Sequence, residues 1–302
     1  MTSCDVYIYG MTVLSTIHLL NGDYPAADSY QEIDKTFVIP GGEGANCAIV
    51  LQNLGVNTRL DGCCLGEITA QPLKNYLTER GVDCSLLCYN PSFPGWRDMV
   101  LCDGKTRTVF GWFGAFFSKG SGLWTSPNEA SIRSAHCVAL DPFFPEASAL
   151  AAQMCQYHAT DYVTIDTKWD HPMAQNARAL VCSHEFIENT YPGADSVRLF
   201  DQYRQFCRGL LIFTFGGQEL WFTSPGQPVS SFPAYKVPVV DTLAAGDTFR
   251  AGVVYGILKG FSDENVVRFA SATAAVKCTR FPSVYQPPSL DEIQALIHAS
   301  AD

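Results

Sequence analysis

Val239-Val240-Asp241-Thr242-Leu243-Ala244-Ala245-Gly246-Asp247-Thr248-Phe249-Arg250-Ala251-Gly252 sets small residues and two carboxylates directly before an apolar helical run. Ala244, Ala245 and Gly246 have little or no side chain, so their backbone N–H groups can approach a ligand. The helix expected from Thr248 to Leu258 adds its positive dipole end. A phosphoryl group suits such a cradle. Asp247, placed at that end, can accept a proton from a hydroxyl while the neighbouring N–H groups hold the phosphate under attack. The stretch therefore reads as a site for phosphoryl transfer to an alcohol. An ordinary helix start capped by Thr242 or Asp247 would use the same residues, so the rest of the chain must decide.

Around this stretch, strand and helix signals alternate. Val6 to Tyr9 and Phe37 to Ile39 read as strands, and Asn46 to Leu54 as a helix stopped by Gly55. The pairs that follow are Arg59 to Cys64 with Gln71 to Arg80, Cys137 to Leu140 with Glu146 to Tyr157, and Tyr162 to Asp166 with Pro172 to Leu180. Leu210 to Phe215 is a buried-strand run, Glu219 to Thr223 and Ala234 to Val239 suggest β-structure, and helices follow at Asp263 to Cys278 and Leu290 to Ala299. The pattern predicts an α/β fold with a doubly wound, mainly parallel sheet, and ligands at the carboxyl ends of its strands. Two stretches break the alternation, at about 12–39 and 94–117. In the second, Asp98 to Leu101, Asp103-Gly104 and Thr106 to Trp112 read as a hairpin. They predict a small β-sheet inserted into a single domain spanning 1–302. Its aromatics Trp96, Phe110, Trp112, Phe113, Phe116 and Phe117 suit a lid, a contact between copies or the main core.

Composition narrows the function classes. A chain of 302 residues, 47% apolar and 17% charged, can bury a large core. The net charge of -10 argues against nucleic acid or an anionic membrane as the main partner, since both need clustered Lys and Arg. The start Met1-Thr2-Ser3-Cys4-Asp5 is acidic, and the apolar run after it is broken by Gly10, Thr12, Ser15, Thr16 and His18. No secretory signal is read there, and a cytoplasmic protein is expected. The 12 cysteines are scattered through apolar segments and are expected as free thiols. Cys84 and Cys88 lack a second pair at zinc-ligand spacing, and the six histidines form no ligand pattern.

A second Gly-rich segment lies two hundred residues upstream of the first: Pro40-Gly41-Gly42-Glu43-Gly44-Ala45-Asn46-Cys47-Ala48-Ile49-Val50-Leu51-Gln52-Asn53-Leu54-Gly55. Together the two segments resemble the paired signatures of the ribokinase-like, or PfkB-type, carbohydrate kinases. The resemblance runs from the strand ending at Gly10 to Pro287-Pro288-Ser289. It implies a ribokinase-like fold with a β-sheet lid that often forms a homodimer interface, a sugar or polyol substrate, ATP and Mg²⁺, with a monovalent cation as a further candidate. It implies Asp247 as catalytic base and the backbone of Ala244, Ala245 and Gly246 as the anion hole. Gly41, Gly42 and Asn46 would touch the sugar, and Asp241 and Thr242 would organise the phosphate side. Thr214 and Gly216 match a strand-end Thr-x-Gly near the nucleotide, and Ala274, Cys278 and Phe281-Pro282 fall where the family packs adenine.

Several residues depart from the family pattern. Ser15 stands where an Asp grips sugar hydroxyls, and Glu43 brings a carboxylate to that neighbourhood. Ser183-His184-Glu185-Phe186 replaces an Asn-x-x-Glu on the metal side, which leaves Glu185, Glu188 or a residue the sequence does not reveal as the metal-side carboxylate. Glu219 replaces a Gly. Asp166 matches a family Asp but is followed by Thr167, Lys168, Trp169 and Asp170, and Lys168 can meet an acidic or phosphorylated substrate or simply be exposed. The expected activity is ATP-dependent phosphorylation of a sugar-like hydroxyl. A nucleoside kinase of the same fold, or a sugar-binding regulatory protein without turnover, are the alternatives.

Overall fold

Residues Val6–Gly10 are buried throughout, with Val6 and Ile8 packed into the core on one side and Tyr7 and Tyr9 into that on the other. A strand apolar on both faces belongs in the middle of a sheet covered twice by helices. In the computed structural model, which describes residues 4–104, 106–114 and 123–300, that is its place. The main sheet runs Ser230–Phe232, Leu220–Thr223, Leu210–Thr214, Ala179–Ser183, Tyr162–Ile165, Cys137–Leu140, Val6–Gly10, Thr58–Gly62. The last six are mutually parallel, and the first two add antiparallel at one edge.

The chain lays down Val6–Gly10, moves outward to Thr58–Gly62, then returns to the other side of Val6–Gly10 with Cys137–Leu140 and continues in that direction. The strand order therefore reverses between Val6–Gly10 and Cys137–Leu140, which opens a crevice at their carboxyl ends. Asp141 and Met11 lie just past those ends, and Met11 N donates to Asp141 Oδ2 at 2.6 Å. The helices Glu43–Asn53, Ala245–Leu258 and Asp263–Cys278 cover one face of the sheet, and Pro145–His158 lies on the other.

A second sheet of four strands, ordered Ile33–Gly41, Val13–Leu20, Arg97–Cys102, Arg107–Gly111, forms the lid. Its register pairs Ser15 with Ile39 and with Asp98, Val100 with Val109, and Cys102 with Arg107. Alternation then places Val13, Ser15, Ile17, Asp98, Val100, Arg107 and Val109 on one face. Arg97, Phe110 and Trp112 belong to the other face, where Phe110 and Trp112 are half exposed. Trp96 is in the main core and Phe113 packs on it, whereas Phe116 and Phe117 fall outside the described residues.

The structure corrects three expectations. Pro172 to Leu180 is not one helix: Pro172–Asn176 is helical and Ala179–Ser183 is a strand between Tyr162–Ile165 and Leu210–Thr214. The helix propensity of Ala179 and Leu180 is overridden by a place inside the sheet. Ala234 to Val239 forms no strand, since Pro233 and Pro238 remove ladder donors, and the edge strand is Ser230–Phe232. Finally, Cys64 and Cys88 form a disulfide, and the other ten cysteines are free. The short pairing of Leu65–Gly66 with Tyr89–Asn90 brings the two together, which a separation of 24 residues hid.

Candidate active site

The helix Ala245–Leu258 starts without a side-chain cap, on Ala244 in the left-handed region at φ 62°. The turn before it is fixed by Asp241, which is buried and whose carboxylate accepts from Leu243 N at 2.8 Å and from Ser283 N at 2.7 Å. Lys277, fully buried on Asp263–Cys278, pairs with Asp241 at 3.2 Å. Asp241 is thus the anchor of the loop. The Ala245 N–H is turned inward, donating to Thr242 O at 3.2 Å. No described protein group accepts from the N–H of Gly246 or Asp247, so the free donors of the expected anion hole are there rather than at Ala245. A Cβ added to Gly246 would meet no protein atom within 4 Å.

The first motif reaches the same place from the other side. Gly42, at φ 86°, caps the helix Glu43–Asn53 in a conformation that favours glycine, and Gly44 and Ala45 donate to Met11 O at 3.1 Å. This docks the helix start on the end of the first strand and aims Asn46 at Asp247, to whose Oδ2 its Nδ2 donates at 2.7 Å. Asn46 is 4% exposed and its Oδ1 has no partner among the described residues, so it is not merely bonding its own helix start.

Behind these residues lies an ion pair. Arg250 and Asp141 are both fully buried, Arg250 Nη1 donates to Asp141 Oδ1, and Arg250 Nη2 donates to Glu43 O at 2.5 Å. Burial pushes the Asp247 carboxyl above its ordinary value, while the Arg250 charge and the Asn46 hydrogen bond pull it back. Burial, then the carboxylates of Asp247 and Asp141, hold Glu43 well above the usual carboxylate range. Glu43 is accordingly the group disposed to keep its proton, and Asp247 the one supported as an anion.

Between this floor and the lid is a cavity of about 360 Å³, lined by Gly41, Gly42, Glu43, Asn46, Ala244 and Asp247 below and by Val13, Ser15, Ile17, Asp98, Val100 and Val109 above. Phe113, Phe143 and Ser283 contribute to its sides. The expected sugar residues Gly41, Gly42, Asn46, Ser15 and Glu43 therefore meet in one cavity with Asp247. Asp98, which the sequence presented only as the start of a hairpin, joins them.

The residues expected on the phosphate side lie next to it. A neighbouring cavity of about 630 Å³ is lined by Asp166, Lys168, Ser183 and Glu185, among others. Asp166 accepts from Ser183 N at 2.8 Å and Ser183 Oγ at 3.1 Å, and burial pushes its carboxyl up to about 6. Glu185 is exposed in the first turn of His184–Thr190 and pairs with Arg107 of the lid at 3.2 Å. Arg107 also donates to Thr242 Oγ1 at 2.6 Å, which ties the lid to the start of the second motif. Thr214 lies beside Ser183 across the sheet, with Gly216 two residues on at φ 61°. Neither these two nor Ala274 and Cys278 line the cavity beneath the lid. Ala274 packs against the main core, and Cys278 O accepts from Val240 N at 2.8 Å. Phe281 packs edge-on against Phe37 of the lid, with ring centroids 5.8 Å apart. Among the described residues no three His, Cys, Asp or Glu side chains group as a metal cage, and no helix is long and apolar enough to cross a membrane.

Sequence reasoning missed Asp98, Arg107, Asp141 and Lys277, and left Arg250 without a role. The available signal was a lone charge inside an apolar run, as in Phe249-Arg250-Ala251 and Val276-Lys277-Cys278, because an unpaired charge there is costly.

Comparison with known proteins agrees with this fold. Residues 11–288 match the family described as pfkB family carbohydrate kinase. A ribokinase of Lactococcus lactis is 23% identical over 271 residues, covering 85% of each chain. A 5-dehydro-2-deoxygluconokinase of Listeria innocua is 39% identical over 118 residues, which is 39% of this chain and 36% of that one. The structure of Arabidopsis thaliana ribokinase complexed with ribose and ATP superposes with a TM-score of 0.79 over 98% of this chain and 99% of that one, at 17% identity.

Proposed function

Because the chain belongs to the pfkB family of carbohydrate kinases, we propose that it transfers the terminal phosphoryl group of ATP to a hydroxyl of a sugar or sugar-like molecule. The observation that carries this reading is the Asp247 carboxylate, oriented by Asn46 in the wall of a cavity and adjoining the unpartnered N–H of Gly246. Asp247 takes the hydroxyl proton as the oxygen attacks phosphorus. The N–H groups of Gly246 and Asp247 and the helix dipole hold the negative charge of the transferring group. Such a loose transition state needs positioning more than a strong base. Arg107, reaching from the lid to Thr242, closes the phosphate side and helps exclude water.

Magnesium, bound mainly by the triphosphate and water, would neutralise phosphate charge. It requires no protein cage, and Glu185 and Asp166 are the carboxylates on that side that fit it. Thr214 and Gly216 remain our assignment for the nucleotide, at the strand ends beside Ser183. The exposed outer lid face with Phe110 and Trp112 supports a homodimer through the lid, which sedimentation of wild type against Trp112→Glu would test.

A nucleoside acceptor is the second reading, since Phe113 and Phe143 line the cavity and offer a face to a base. The test is magnesium-dependent ADP release with a panel of free sugars and nucleosides. Release with one class identifies the acceptor. Release with neither, from folded protein that binds a sugar, would leave a regulatory binding protein instead.

A further inference from the structure

The cavity carries buried acceptor atoms that no group of the described residues satisfies. Asp98, whose carboxylate accepts from the Ser15 hydroxyl, keeps its Oδ1 buried without a hydrogen-bond partner among the described residues, and so does Asn46 Oδ1 on the floor of the cavity. Ser15, 4% exposed, is paired in register with Asp98 and lines the same wall. The titratable side chains around the cavity are Glu43, Asp98 and Asp247, all acids, and among the described residues no Lys, Arg or His lines it.

The nearby cations are turned elsewhere. Arg97 follows strand alternation to the outer face of the lid, where its guanidinium lies 4.9 Å from the centre of the Trp112 ring. Arg107 is engaged by Thr242 and Glu185, and Arg250 by Asp141 and the Glu43 carbonyl. Buried acceptors left without donors are costly, so a ligand that supplies hydroxyl hydrogens gains what the empty site lacks. An anionic ligand would instead bring like charge against carboxylates and find no cation. The volume of about 360 Å³ is in the range of small-molecule pockets.

We infer that the phosphoryl acceptor is an uncharged polyhydroxy compound whose hydroxyl groups donate to Asp98 and Asn46, and that Asp98 on the lid is the residue that rejects sugar acids and sugar phosphates. This rests on the kinase reading for the word acceptor, but the binding selectivity does not.

The test is calorimetric titration of the full chain at pH 8 with uncharged sugars and nucleosides, and with gluconate, ribonate, fructose 6-phosphate and ribose 5-phosphate. ADP release is then measured with the same compounds. The best uncharged compound is expected to bind at least about tenfold tighter than any anion. Asp98→Asn should weaken it by about tenfold to a hundredfold without weakening the anions, as expected for loss of a hydrogen bond to a charged group. Preferred binding of an anion, no binding of any uncharged compound at millimolar concentration, or an unchanged affinity in Asp98→Asn would overturn the inference. Selective binding without ADP release would sink the kinase reading and leave the selectivity standing.

Discussion

Asn46 and Asp247 are 201 residues apart in the chain, yet the Asn46 amide donates to the Asp247 carboxylate at 2.7 Å. The bond joins the first turns of two helices, each starting from a small-residue loop, and engages Oδ2, so that in the proposed reaction Oδ1 is the oxygen left for a substrate hydroxyl. Asp247→Asn keeps the shape and removes the proton acceptor. We expect kcat to fall about a hundredfold or more while the fold and nucleotide affinity persist. Turnover within a few-fold of wild type would end the assignment of Asp247 as base.

The same bond predicts a pH effect. Burial raises the Asp247 carboxyl, and the Asn46 hydrogen bond opposes that shift by favouring the anion. Asn46→Ala removes the opposing influence, so the acid limb of kcat should move to higher pH. A limb that stays in place while only KM changes would confine Asn46 to substrate binding.

The residues legible in the sequence are those whose meaning lies in a contiguous pattern. Gly42 before a helix, Asn46 in its first turn, and Ala244 to Asp247 before another helix are local statements about backbone and dipole, and they converge on one cavity. Asp141 and Arg250 were silent because their pairing spans 109 residues and depends on where the strand order reverses. Asp98 was silent for a different reason: a polar residue in a hairpin looks solvated until the register against Val13–Leu20 turns it inward beside Ser15. The break of Pro172 to Leu180 into helix and strand was likewise set by neighbouring strands rather than by propensity.

Arg250 and Asp141 are both shielded completely from solvent. Removing one partner strands the other charge, so Arg250→Met should cost about 3–5 kcal/mol of stability. The double variant Arg250→Met with Asp141→Leu should recover much of it. Both are measured by urea denaturation, and a single variant as stable as wild type would show that the pair contributes nothing.

Gly246 has open space where a side chain would stand. A Cβ there lies in open space, so the folded state of Gly246→Val should survive, with a melting temperature within a few degrees of wild type. Its side chain would occupy the approach to the free N–H groups and turnover should be lost. Near-normal kinetics in folded Gly246→Val would place the anion hole elsewhere.

Asp98 predicts a stability change with a defined pH window. Burial pushes its carboxyl up to about 6 in the folded chain, with the Ser15 hydroxyl acting in the opposite direction, against roughly 3.9 for an unfolded aspartate. Between those values the native state holds a proton that the unfolded chain releases, so this group lowers stability as pH rises through about 4 to 6. Above that window the burden of a buried anion is complete, and below it there is none. Asp98→Asn never carries the charge. Its melting temperature relative to wild type should therefore climb from pH 4 to pH 6 and stay level above, in the absence of ligand. A substitution that stabilises the empty protein at pH 8 while weakening its best uncharged ligand is the signature of a residue kept for binding rather than for folding. If Asp98→Asn is instead destabilised at pH 8, the bond from the Ser15 hydroxyl outweighs the burden of the buried charge, and the place of the carboxylate in the cavity is structural.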